Sequence, residues 1–128
     1  MDIARSTQVF IVDDSPSIRS RLVEMLARMD RIEVVGEAAN ASEAVDGILA
    51  KRPDSVLLDL NLAHSSGMQV LREVRIRAPE IVFVVLTNPA EPQYRRACGR
   101  AGAAYFLDKT TEFDRVREVI AEIAATRH

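Results

Sequence analysis

Four apolar segments of this chain lead into residues that can bind a metal ion or react with a phosphoryl group. These residues are the pair Asp13 and Asp14, then Asp59, Thr87 and Lys109. A buried carboxylate is costly without a cationic partner, so Asp59 at the end of an apolar run indicates a cation nearby. Several carboxylates together need a divalent cation or a lysine, and ligand sets of oxygen alone favour magnesium or manganese. The residue types therefore predict an acidic, cation-binding site.

Two kinds of chemistry fit such a site. Magnesium is usually held by one or two carboxylates and a phosphate, which favours a phosphorylated ligand. The sequence contains neither Gly-x-x-x-x-Gly-Lys-Ser/Thr nor Gly-x-Gly-x-x-Gly, so a bound nucleotide is not expected. Alternatively, Asp59 itself becomes phosphorylated, with Lys109 as a point charge and Thr87 as a hydroxyl donor to the phosphoryl oxygens.

Each of these residues also has a plain structural explanation. Asp13 and Asp14 could form a turn or cap the helix that follows them. Thr87 could simply end a strand, and Lys109 could be a solvated loop charge. All of these explanations would have to hold at once, so a shared site is the better interpretation.

The elements that position these residues follow from the pattern of apolar residues, which predicts five strands alternating with five helices. The strands are expected at residues 8–12, 32–38, 55–61, 81–86 and 103–107. Such alternation implies a parallel sheet with helices on both faces, an α/β fold. At this length the flavodoxin-like, doubly wound strand order 2-1-3-4-5 is expected, with ligands at the carboxyl ends of the strands. The residues listed first would then lie along one edge.

The helices are marked by caps and breakers. Pro16 begins the first helix, Asn40 or Ser42 caps the second, and residues 65–67 break the chain before the third. Residues 91–100 predict a weaker fourth helix, and Glu112 and Asp114 suit the first turn of the fifth. The apolar stripe predicted to face inward on the third helix comprises Met68, Val70, Leu71, Val74 and Ile76.

Composition limits the class of protein. With 128 residues, 48% of them hydrophobic and 28% charged, the chain is expected to form one globular domain, residues 1–128, with its core at about residues 8–123. A net charge of −2 argues against direct nucleic-acid binding. No apolar run approaches the roughly 20 residues that span a bilayer, and the polar N-terminus resembles no secretory signal. We therefore expect a cytoplasmic protein without a membrane partner.

The motifs, taken in order and spacing, resemble the receiver domain of two-component response regulators. They are Val-Asp-Asp-Ser at 12–15, Leu-Leu-Asp-Leu-Asn at 57–61, Thr87 and Lys109, and the resemblance extends over about residues 8–123. It implies that Asp59 accepts a phosphoryl group from a histidine kinase or a histidine phosphotransfer protein. It also implies a stand-alone signalling switch that catalyses only its own phosphorylation and slow dephosphorylation and acts through an unknown downstream protein.

The resemblance also assigns roles to the other site residues. It implies magnesium, or manganese in its place, held by Asp13, Asp14, Asp59 and the backbone carbonyl of Asn61. Lys109 would neutralise the phosphoryl group, and Thr87 would move to donate a hydrogen bond to it. Phe106, with Tyr105 beside it, would change rotamer together with Thr87. Because Phe106 has no hydroxyl, exclusion from water should favour its inward rotamer.

Two positions depart from the common family pattern. Thr110 follows the lysine, where proline is frequent, and Asn88 follows the threonine, where alanine or glycine is common. We expect the larger Asn88, together with Pro89, to slow the access of water and small phosphodonors to Asp59.

The same resemblance indicates surfaces for partners. Ile18, Arg19 and Leu22 would dock the phosphodonor near the acidic pocket, and Arg96 would contact a partner. Arg96 belongs to a set of arginines that forms either a basic surface or an ordinary solvated helix face; the others are Arg95, Arg100, Arg115 and Arg117.

Other functions remain open at this point. A magnesium phosphohydrolase of the haloacid-dehalogenase type would place Asp-x-Asp after its first strand, whereas the nucleophile here is expected after the third. A pseudo-receiver that signals without phosphate would not need the complete set of acidic, hydroxyl and lysine residues. The chain could also be the receiver fragment of a longer DNA-binding regulator.

Overall fold

The computed structural model describes residues 5–127, and its central element is a five-stranded parallel sheet. The strands along the chain are β1 (Thr7–Val12), β2 (Ile32–Ala38), β3 (Ser55–Leu58), β4 (Asn61–Leu62), β5 (Ser65–Ser66), β6 (Val82–Thr87) and β7 (Tyr105–Asp108). The main sheet has the order β2-β1-β3-β6-β7, and every neighbouring pair in it is parallel. Numbered within the sheet, this is the predicted order 2-1-3-4-5, so the flavodoxin-like fold is confirmed.

Helices connect the strands. They are α1 (Pro16–Ala27), α2 (Ala41–Lys51), α3 (Gly67–Arg77), α4 (Pro92–Arg100) and α5 (Arg115–Arg127). The hydroxyl of Ser15 accepts a hydrogen bond from the N–H of Ile18, and Asn40, rather than Ser42, caps α2 through the N–H of Glu43. These caps satisfy N–H groups that have no partner within the first turn of a helix. In the described part of the chain, no helix has the length and hydropathy that crossing a membrane requires.

The sheet is buried on both faces. On one face, Val56 and Phe83 pack with residues of α2 and α3, such as Ile48. On the other face, Leu57 and Val84 pack with residues of α1 and α5. Successive side chains of a strand point to opposite faces, so each central strand contributes to both cores. Helices on both sides cover the central strands and leave the ends of those strands accessible.

The third strand is shorter than predicted. β3 ends at Leu58, where its pairing with β1 and β6 also ends. Asn61 and Leu62 instead pair with Ser65 and Ser66 in a small antiparallel hairpin. The predicted break before the third helix therefore contains a hairpin that was not foreseen: Ser65 and Ser66 pair locally, and α3 begins at Gly67.

Two predictions for the helices were also wrong. Ile76 is 83% exposed, because it lies two residues beyond the buried Val74 and therefore about 200° around the helix. Glu112 and Asp114 precede α5, which begins at Arg115. The carboxylate of Glu112 accepts a hydrogen bond from the backbone N–H of Asp108, at 2.9 Å. This segment therefore forms a separate turn before α5 and not the first turn of the helix.

Candidate functional site

The predicted site residues come together at the carboxyl ends of the strands. Asp13 follows β1, Asp59 follows β3, Thr87 ends β6 and Lys109 follows β7. The register aligns these ends, since Val12 pairs with Leu58 and Thr87 pairs with Asp108. Residues distant in sequence therefore share one edge of the sheet.

An ammonium group lies between two buried carboxylates. The Nζ atom of Lys109 is 2.7 Å from Oδ2 of Asp13 and 2.6 Å from Oδ2 of Asp59. Asp13 is only 2% exposed and Asp59 only 5%. Two like charges at this depth require a neutralising partner, and Lys109 supplies it.

The second carboxylate oxygen of Asp59 also has partners. The hydroxyl of Thr87, which is fully buried, donates to Oδ1 at 2.9 Å. The backbone N–H of Asn61 donates to the same oxygen at 3.1 Å. The backbone N–H of Asp59 in turn donates to the carbonyl of Val12. These hydrogen bonds hold the carboxylate in one orientation.

Burial and pairing act in opposite directions on the ionisable groups. Burial raises the pKa of Asp13, although hydrogen bonds from Lys109 and from the N–H of Ser15 oppose this shift. Burial by itself would lower the pKa of Lys109, but hydrogen bonds to Asp13 and Asp59 outweigh it and raise that pKa. Lys109 is therefore charged at neutral pH.

The acidic residues can also hold a cation. One carboxylate oxygen from each of Asp13, Asp14 and Asp59 lies within 4.8 Å of the others. Asp14 is exposed, whereas the other two are buried. A set of oxygen donors open to solvent on one side suits a hard divalent cation that keeps some of its water. The carbonyl of Asn61 as a further ligand stays a prediction.

Hydrogen bonds at the rim of the site join Asn61, Asn88 and Thr110, which follow β3, β6 and β7. The amide nitrogen of Asn61 donates to the carbonyl oxygen of Asn88, and the amide nitrogen of Asn88 donates to the hydroxyl of Thr110, each at 2.6 Å. The Asn88–Pro89 peptide is cis. Thr110 was noted in the sequence only as the residue that replaces proline, so its contact with Asn88 was missed. The two residues are 22 positions apart, so no local sequence pattern predicts this hydrogen bond.

Phe106 lies inward, as predicted. It is 9% exposed and packs against Val85 and Cys98. The guanidinium of Arg95 lies 4.8 Å from the centre of its ring and donates to its carbonyl oxygen at 3.1 Å. Tyr105 contributes to the core on the opposite face, and its hydroxyl hydrogen-bonds Glu122. That Phe106 and Tyr105 change state stays a prediction.

The expected docking residues divide into two groups. Ile18 and Arg19 are half-buried beside the site, and Arg96 is exposed. Leu22 is 1% exposed and belongs to the core below α1, so the prediction that it contacts a partner was wrong. The guanidinium of Arg19 donates to the backbone carbonyl of Asp13 at 2.6 Å, a contact with the site that the sequence did not reveal.

The arginines of α4 and α5 do not form a uniform basic surface. Arg95 turns toward Phe106, and Arg115 pairs with Glu112 at 2.7 Å. Arg115 is thus paired with an anion and Arg95 is directed toward Phe106, which favours an ordinary solvated helix face over a uniform basic patch.

The sequence is similar to those of known proteins. The family model described as the response regulator receiver domain matches residues 9–121. The DNA-binding transcriptional activator DevR/DosR of Mycobacterium tuberculosis is 29% identical over 120 residues, which cover 94% of this chain and 55% of that protein. A protein-glutamate methylesterase/protein-glutamine glutaminase of Pseudomonas fluorescens is 35% identical over 109 residues, or 84% of this chain and 29% of that protein.

Solved structures share the fold. A two-component response regulator of the LuxR family from an Aurantimonas species superimposes with a TM-score of 0.88 at 26% identity, covering 96% of this chain and 88% of that one. The chain spans about half the length of DevR/DosR and less of the methylesterase, so the similarity concerns one part of each.

Proposed function

Because the chain belongs to the family of response regulator receiver domains, we propose that Asp59 accepts a phosphoryl group from a phosphohistidine of a histidine kinase or a histidine phosphotransfer protein. In this reaction an oxygen of Asp59 bonds to phosphorus while the bond from phosphorus to the imidazole nitrogen breaks. The electron pair stays on that nitrogen, which takes a proton from solvent. Hydrolysis later returns the carboxylate and releases inorganic phosphate.

The observation that carries this proposal is the position of the Lys109 ammonium, 2.6 Å from Asp59. A carboxylate becomes an acceptor for a dianionic group only where positive charge offsets the added negative charge. Transfer of a phosphoryl group needs mainly positioning and charge neutralisation from the protein. Thr87 orients the carboxylate beforehand and offers its hydroxyl to a phosphoryl oxygen afterwards.

The acidic residues support a magnesium ion in the same site. Asp13, Asp14 and Asp59, with the carbonyl of Asn61, would hold Mg²⁺, or Mn²⁺ in its place, because all four supply oxygen. A bound ion would supply positive charge to the phosphoryl oxygens. The residues of the chain keep the acceptor in place and exclude bulk water from its buried side.

Phosphorylation would be signalled to a downstream protein through a change at the protein surface. Once Thr87 turns to the phosphoryl group, Phe106 follows it, and the surface around β7 and α4 presents a new contact to a downstream protein. The donor would dock near Ile18 and Arg19. The reaction modifies the protein itself, in the cytoplasm, without turnover of a separate substrate.

DevR/DosR, by its name, binds DNA, and the chain covers 55% of it. A second candidate is therefore a receiver that controls an attached DNA-binding domain. The net charge of −2 favours DNA binding by the attached domain over direct contact of this chain with DNA.

One experiment tests the phosphoacceptor. The protein is incubated with acetyl phosphate and Mg²⁺, and the modified residue is located by intact and peptide mass. We expect one phosphoryl group on Asp59, none in Asp59→Asn, and normal uptake in Asp46→Asn, which removes an exposed carboxylate on α2. Modification at another residue, or uptake by Asp59→Asn, would contradict the proposal.

A further inference from the structure

We propose that Thr110 is a positioning residue that holds Asn88 across the mouth of the site and so slows both the loading and the loss of the phosphoryl group. The inference rests on the proposed function of Asp59. It adds a residue outside the set that binds the metal or the phosphoryl group.

The hydrogen bonds at the rim connect residues that lie one or two positions after site residues in the sequence. Asn61 lies two positions after Asp59, Asn88 one after Thr87, and Thr110 one after Lys109. The hydrogen bonds from Asn61 to the carbonyl of Asn88, and from the Asn88 amide to Thr110, thus link all three loops. We call Asn61, Asn88 and Thr110 the rim bridge.

Thr110 is the fixed end of this bridge. Its backbone N–H, and that of Thr111, both donate to Oδ1 of Asp108, at 2.8 and 3.0 Å. The N–H of Lys109 donates to the carbonyl of Thr87 at 3.0 Å, which ties the same loop to β6. Asn88 and Thr110 are both exposed, so the bond between their side chains is what keeps the Asn88 amide beside Thr110 instead of turned to solvent.

The bridge opposes the movement that phosphorylation requires. Thr87 donates to Oδ1 of Asp59 and must release that oxygen before its hydroxyl can reach a phosphoryl group. Asn88 is joined to Thr87 by the chain, so a bound Asn88 restrains this step. Held by Thr110, the Asn88 side chain would also hinder the water molecule that attacks phosphorus, displaces the Asp59 oxygen with its electron pair and releases phosphate. The restraint applies in both directions, so it changes rates more than the equilibrium.

The test compares two substitutions at one position. Thr110→Val keeps the shape of the side chain and removes the hydroxyl, whereas Thr110→Ser keeps the hydroxyl. We measure uptake from acetyl phosphate with Mg²⁺ and the half-life of the phosphoryl group after the donor is removed. Thr110→Val should increase the rate of uptake and shorten the half-life, each by about twofold to tenfold, which is the effect of one side-chain hydrogen bond. Thr110→Ser should behave like the wild type.

A double-mutant cycle separates this role from general loosening of the loop. Asn88→Ala should accelerate hydrolysis at least as much as Thr110→Val does, because it removes the side chain as well as the bond, and the double variant should be no faster than Asn88→Ala alone. Additive effects, or an unchanged half-life in Thr110→Val, would overturn the inference while leaving phosphorylation of Asp59 intact. If the wild type takes up no phosphoryl group, the proposed function fails and this inference fails with it. The Asn88 side-chain amide resonance supplies an independent readout: no change in Thr110→Val would also overturn the inference.

Discussion

At the scale of single residues, the site places like charges around one ammonium group. Asp13 and Asp59 share Lys109 at 2.7 and 2.6 Å, and both carboxylates are almost completely buried. Burial is the main cause of the raised pKa of Asp13, and the hydrogen bond from Lys109 offsets it only in part. The arrangement is suited to taking up another cation and is unfavourable for the stability of the free protein.

Asp13→Asn should therefore stabilise the protein at neutral pH in the absence of divalent cations. The folded state raises the pKa of Asp13 above its ordinary value of 3.8, so ionisation of this group disfavours folding above the raised pKa. The asparagine removes this contribution, for a gain of about 1 kcal/mol, the scale of one polar interaction. The gain should shrink as the pH falls toward 3.8. Urea unfolding with a chelator at several pH values measures it, and a less stable variant at pH 7 would refute the argument.

At the scale of elements, the acceptor depends on how α3 meets the end of β3. Gly67, the first residue of α3, donates its N–H to the carbonyl of Leu60 at 2.9 Å. A Cβ atom at this position would collide with the backbone carbonyl of Asp59 and the Cα atom of Leu60. The absence of a side chain here allows the helix to start against the acceptor loop.

Gly67→Ala should lower stability by about 1–3 kcal/mol, the usual effect of overpacking a site that cannot expand. The displaced loop should also slow phosphoryl uptake by Asp59. Gly99→Ala on α4 is the matched control, because a Cβ atom there meets nothing within 4 Å. That change should stabilise α4 by about 0.5–1 kcal/mol through helix propensity alone. Equal effects of the two substitutions in thermal unfolding would show that packing at Gly67 is unimportant.

The turn between β7 and α5 should depend on pH through Glu112. A hydrogen bond from the N–H of Asp108 and the pair with Arg115 lower the pKa of Glu112 below its ordinary value of 4.5. A lowered pKa contributes stability that is present above the unfolded value and is lost as the pH falls through the folded value. Solvent screens this partly exposed carboxylate, so Glu112→Gln should be less stable by no more than about 0.5 kcal/mol at pH 7. Chemical denaturation should show no difference well below pH 4.5, and a constant difference at all pH values would contradict this assignment.

At the scale of the whole molecule, binding at one edge is linked to folding of the entire sheet. The carboxylates of the site come from loops after β1 and β3, which lie between the two cores. A cation that binds only the assembled edge must stabilise the folded state by mass action.

Mg²⁺ should therefore raise the unfolding free energy of the wild type, by about 2.7 kcal/mol at a hundredfold excess over the dissociation constant. Asp14→Asn should reduce this gain. Because Asp14 is exposed, its substitution should leave the stability without metal within about 0.5 kcal/mol of the wild type. Thermal melts with and without Mg²⁺ measure both quantities. A full Mg²⁺ effect in the variant would exclude Asp14 as a ligand.

Most of the fold and the position of the site could be predicted from local patterns. Short apolar runs and apolar residues at helical spacing identified the five main strands and five helices, and their alternation implied a parallel sheet. The short β4–β5 hairpin was missed, because two-residue strands have too few residues for a periodic signal. Leu22 and Ile76 were misplaced, because the side of a helix that is covered depends on its neighbours.

By itself, the sequence determined which residue types stand at the ends of the strands, and parallel pairing then required those ends to share an edge. The tertiary structure alone decided which atoms meet there. Lys109 reaches Asp13 and Asp59 across 96 and 50 residues of chain, and Asn88 joins Asn61 to Thr110. Such contacts depend on register, loop path and side-chain rotamer, which are fixed by packing of the whole domain and leave no mark in local spacing.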